Sequence, residues 1–169
     1  MVDEQTSTNT RRPDYKTDVF ESYEFAYTTT LGEIKANKDV SLADKVTDFH
    51  RIAIFCKDAI DNFNLSTTIG FQVVGKTITF FAMSLQYKHL YTFTEIVSLE
   101  IPLKKSDLLN LVGRFDELAT LSYIHDNLCT PSIRDISHLR IETSQHSYVC
   151  DSLDQSKTKK RKISFSLGS

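Results

Sequence analysis

The sequence predicts an α/β (α+β) fold, a mixed β-sheet flanked by helices. Three observations carry that reading. Runs rich in Tyr, Phe, Thr and Val are interspersed with two stretches whose apolar residues recur every three or four positions, in the order β-β-α-β-β-β-α. Hydrophobic residues make up 40% and charged residues 25% of the 169-residue chain, the balance of a folded globular protein. Gly (5) and Pro (3) are scarce, which excludes collagen-like and low-complexity architectures, and no repeat is visible.

Residues 1–12 are polar and predicted to be disordered. The segment YKTDVFESYEFAYTTTLGEIK then alternates in short stretches, which places strands near Tyr15–Phe20 and Phe25–Lys35 with a turn around Glu21–Glu24. Ser41 is suited to cap a helix, with Asp44 at its third position. Leu42, Val46, Phe49, Ile52, Cys56, Ala59, Ile60 and Phe63 follow at helical spacing, giving about six turns that end near Asn62–Asn64. Three β-rich runs come next, Thr68–Val74, Thr77–Gln86 and Leu90–Leu99, joined at Gly75-Lys76 and at Tyr87–His89. Pro102 ends the sheet. A second helix is expected over Lys105–Asn127, capped by Ser106, with Leu108, Leu109, Leu111, Val112, Phe115, Leu118, Leu121 and Ile124 on its apolar face. Residues 13–130 thus form the domain, 131–150 a short helical extension, and 151–169 a disordered basic tail.

The net charge is −2, but five of the 20 basic residues (Lys157, Lys159, Lys160, Arg161, Lys162) crowd the acid-free tail. The remainder carries 15 basic against 22 acidic residues, a net −7 that is not the usual footprint of a nucleic-acid binder. The tail itself reads as a nuclear-localisation or nucleic-acid segment, so a nuclear protein is expected, otherwise a cytoplasmic one. No stretch approaches the roughly 20 apolar residues that span a bilayer, and MVDEQTSTNTRR holds no signal-peptide core, so no membrane partner is expected. Cys56, Cys129 and Cys150 are widely spaced and read as reduced thiols.

The chemistry concentrates at Pro13-Asp14, before the first strand, and Glu33-Ile34-Lys35, at the end of the second. Side chains two apart in a strand share a face, so Glu33 and Lys35 project together while Ile34 is expected to turn into the core. A hairpin between the strands brings Asp14 beside them. Two carboxylates suit a hard cation such as Mg2+, which keeps water and phosphate oxygens in its remaining positions. The lysine orients water or offsets charge on a phosphate. An alternating Glu/Lys pair on a strand otherwise decorates a solvated face.

At these residues the chain resembles the PD-(D/E)XK nuclease superfamily, whose signature Pro13-Asp14 and Glu33-Ile34-Lys35 fill without substitution. The segments LGEIK, FHRIAIFCKDAIDNF and GFQVVGKTITFF are also similar to those of uncharacterised nuclease-like proteins of early-diverging fungi. The resemblance implies a restriction-endonuclease-like sheet and Mg2+-dependent phosphodiester hydrolysis of DNA. It further implies Asp14 and Glu33 as metal ligands with the Ile34 carbonyl, and Lys35 as the catalytic lysine. The family usually opens with a helix that often supplies another acid, whereas only Asp3 and Glu4 lie upstream of Pro13. The alternatives are therefore a catalytically inactive nuclease-fold module that binds DNA or protein, or a truncated fragment.

His50 and Arg51, on the first helix, are candidates to touch phosphate beside the site as nucleic-acid-binding residues, but a solvated helix face is the favoured reading of them. Residues Gly70 to Thr77 satisfy the phosphate-loop pattern G-x-x-x-x-G-K-[ST] letter for letter. That mechanism needs a helix after the loop, and Ile78-Thr79-Phe80-Phe81 is a β run, so a hairpin and no nucleotide cofactor are expected. The remaining histidines lack metal-ligand spacing.

Overall fold

A computed structural model describes residues 12–37 and 39–142. Five strands form one sheet: β1 (Tyr15–Glu21), β2 (Glu24–Lys35), β3 (Thr67–Val74), β4 (Thr77–Tyr87) and β5 (Leu90–Glu100). They lie side by side in chain order, β2 and β3 parallel and every other pair antiparallel. A parallel pair cannot be closed by a tight turn, and the 22-residue helix α1 (Leu42–Phe63) makes the crossover between β2 and β3. The result is the mixed sheet flanked by helices that the residue pattern predicts.

The turns follow local chemistry. Ser22 and Tyr23 both adopt positive φ between β1 and β2, the geometry of a two-residue hairpin, and Gly75 does so between β3 and β4. The phosphate-loop pattern is therefore a hairpin, because Thr77–Tyr87 is a strand and no helix N-terminus follows the glycines.

Helix α1 begins where the serine predicts. The Ser41 hydroxyl accepts a hydrogen bond from the Asp44 N–H (3.1 Å), and Asn64, in the left-handed region, ends the helix. Ser41→Ala is expected to cost about 1 kcal/mol of stability, read as a lower urea midpoint with an unchanged slope. The helix lays Ile52, Cys56, Ala59 and Ile60 on Leu31 and Met83 to make the core. Gly70 is what lets α1 approach β3, because a Cβ there would lie 2.5 Å from Ile52 Cγ2.

The second helical region departs from expectation. In place of one helix it forms a 3-10 turn (Lys105–Leu108), a single turn α2 (Leu109–Val112) and α3 (Phe115–Leu128). The break falls at Gly113-Arg114, where the backbone leaves helical geometry. Ser106 does not cap; the Asp107 carboxylate instead accepts from the Leu103 and Lys104 N–H groups. Nor is the apolar face buried as expected: Leu108, Leu109, Val112 and Phe115 are all exposed, while Leu118 and Leu121 line a groove of about 250 Å³ over Ile69 and Phe80.

Beyond α3, the segment through Arg140 is fastened by the αL cap residue. Asn64 donates to the Ser132 and Arg134 carbonyls and accepts from Ile136 N–H and Arg140. The only helical turn there among the described residues is Ser137–Leu139. Cys56 and Cys129 are buried and free; Cys150 and the basic run Lys157, Lys159, Lys160, Arg161 and Lys162 lie outside the described residues. No helix among the described residues is long and apolar enough to cross a membrane.

Candidate active site

The register of the first hairpin sets the site. Tyr15 pairs with Gly32, so extending the antiparallel ladder by one step puts Asp14 opposite Glu33, on the same face of the sheet. The ladder proper stops at Tyr15, and the Asp14 side chain takes over. Its Oδ2 accepts a hydrogen bond from the Ile34 N–H at 2.9 Å, which anchors the carboxylate on the backbone of the Glu33-Ile34-Lys35 triplet. Helix α1 supplies the opposite wall. Arg51 Nη1 lies 3.2 Å from Glu33 Oε2 and 3.6 Å from Asp48 Oδ1, and Lys35 Nζ lies 3.6 Å from Asp48 Oδ2. Asp14, Glu33, Lys35, Asp48 and Arg51 are thus one cluster at the C-terminal end of β2.

Burial is inverted relative to expectation. Ile34 does not turn into the core: it is 44% exposed, whereas Glu33 is 1% exposed. The reason lies in which sheet face is covered. Glu33 and Lys35 face α1, while Ile34 projects on the other face and stays largely open to solvent. Withdrawing Glu33 from water, with the negative charges of Asp14 and Asp48 beside it, raises its pKa to about 7 against the pull of Arg51.

Glu33 Oε1 and Asp48 Oδ2 are buried oxygens without a hydrogen-bond partner among the described residues. Asp48 Oδ2 faces Lys35 Nζ, whereas the Glu33 oxygen left in this state, with neighbouring acids raising the cost of ionisation, fits a hard divalent cation such as Mg2+. Asp14 and Glu33 would hold it. Among the described residues no group of three or more His, Cys, Asp and Glu is arranged to bind a metal, so a two-carboxylate site completed by water and phosphate oxygens is the form compatible with this geometry.

His50 and Arg51 part company. Arg51 belongs to the cluster, and its Nη2 also reaches the Arg12 carbonyl at 3.4 Å. His50 is a third of a turn away on α1 and lines a different groove, of about 400 Å³, with Lys57, His89 and Tyr91. Sequence reasoning missed Asp48. Its signal is legible in retrospect: Asp48, Ile52, Cys56 and Ala59 form one buried stripe of α1, and an acid in such a stripe has to meet buried cations.

No family model, no curated protein and no solved structure matches this chain.

Proposed function

We propose that the protein is a metal-dependent phosphodiester hydrolase of the PD-(D/E)XK type, acting on DNA. The observation that carries this reading is the Asp14–Ile34 hydrogen bond, which anchors the Asp14 carboxylate on the backbone of the Glu33-Ile34-Lys35 triplet. A magnesium ion bound there supplies Lewis-acid polarisation of the phosphate and acidifies a bound water. Asp14 and Glu33 would hold the cation, with the Ile34 carbonyl as a further oxygen donor. Lys35, 40% exposed at its side chain, reaches solvent from the same face and offsets charge growing on the phosphate. Arg51 balances the acids from the helix side. The basic run from Lys157 to Lys162 accords with a nuclear protein that meets DNA.

One observation favours a second reading, a nuclease-fold module that binds DNA or protein without cutting. Arg51 already pairs with Glu33 Oε2, as a protein cation does where no metal is needed. Purified protein incubated with supercoiled plasmid separates the two: cutting in Mg2+ that stops in EDTA supports the hydrolase. Intact plasmid, with no saturable Mg2+ binding by calorimetry, overturns it.

A further inference from the structure

Lys35 sits at the end of a strand on a side chain with four rotatable carbons, and such an amine has no fixed position unless something holds it. The cluster contains one group suited to hold it. Asp48 is 3% exposed, in the second turn of α1, and its two oxygens face opposite ways: Oδ2 toward Lys35 Nζ and Oδ1 toward Arg51 Nη1, each at 3.6 Å. One turn further along, Ile52 is fully buried at the close approach of α1 to Gly70, so the Asp48 backbone is set by the packed core. Arg51 Nη1 in turn lies between Asp48 and Glu33. A buried carboxylate with no charged partner is strongly unfavourable, and here a single one is shared by two cations on different elements.

We infer that Asp48 is a positioning residue, the buried anion through which the helix fixes Lys35 and Arg51 around the Asp14–Glu33 pair. Its catalytic consequence rests on the hydrolase reading. Asp48 touches neither substrate nor reacting atoms; it acts by fixing where the lysine amine stands when the phosphate arrives.

The test uses D48N, which keeps the shape and removes the charge, and D48E, which restores the charge on a longer stem. With a defined DNA duplex in Mg2+, D48N is expected to lower kcat by about 10- to 100-fold with KM within about twofold, the scale of a misplaced catalytic group. D48E recovers part of the loss. In a K35M background, D48N is expected to lose the part of its effect that runs through the lysine and keep only the part that runs through Arg51, so the combined loss falls short of the product of the two single losses. Losses that multiply, or an unchanged kcat in D48N, overturn the assignment. A second measurement stands whether or not the protein cuts DNA: side-chain 1H–15N spectra of the Arg51 guanidinium and Lys35 ammonium. Wild type should show the slowed exchange of held groups, D48N should lose it, and D48E should regain it. A D48N spectrum identical to wild type overturns the inference. Wild-type protein that leaves DNA intact while the spectra respond to D48N overturns only the hydrolase reading.

Discussion

Glu33→Gln is expected to abolish Mg2+-dependent cutting, with a loss of about 10³-fold or more, equivalent to about 4 kcal/mol of transition-state stabilisation. The size follows from position. Glu33 is the most buried acid of the cluster, and glutamine keeps its volume while removing the charge that pairs with Arg51 and that, in the proposed hydrolase, would bind the cation. Plasmid cutting at matched protein concentration, with circular dichroism to establish that the variant is folded, gives the reading. Cutting that survives the substitution refutes the site. Asp14→Asn should also act through the metal, raising the Mg2+ concentration needed for half-maximal rate.

The Glu33 contribution to the stability of the metal-free protein should fall as pH rises between about 4.5 and about 7. The sign follows from the Glu33 pKa, which folding raises from 4.5 to about 7. Below that window both folded and unfolded chains hold the proton, and above it both have lost it. Between the two values the folded state binds more protons, so each step up in pH favours unfolding. The full span amounts to about 3 kcal/mol at 1.36 kcal/mol per pKa unit. Urea titrations at several pH values in EDTA measure it, and E33Q should remove this part of the slope. A metal-free protein whose stability is flat across that window in both forms contradicts the assigned environment of Glu33.

Much of the fold was legible because local chemistry coincides with tertiary demand. Ser41 and Asn64 bound a helix whose apolar residues repeat at helical spacing, and the Gly75 hairpin separates two runs of strand formers. The misreadings share one cause, which is that periodicity shows which residues share a face and says nothing of what covers it. The alternation of Ile34 and Glu33 is legible in the sequence and their sides are not, since only the position of α1 decides that the glutamate face is the buried one. The leucines of Lys105–Asn127 have helical spacing too, but the break at Gly113 takes Leu108, Leu109 and Val112 away from the sheet. At the site, the Asp14…Glu33-x-Lys35 spacing was visible in the chain. Asp48 was not, because its role comes from a helix packing across the sheet rather than from neighbours in sequence.

Strand β1 lies at the sheet margin, interrupted twice in its pairing with β2, and Asp14 hangs from its leading end. Fraying of that margin would withdraw one carboxylate while leaving Glu33 and Lys35 in place, so any cation affinity of the proposed site would be coupled to the opening equilibrium of a single peripheral ribbon. The Ile34 amide reports that equilibrium directly: its deuterium uptake should slow when Mg2+ is added and quicken in Asp14→Ala.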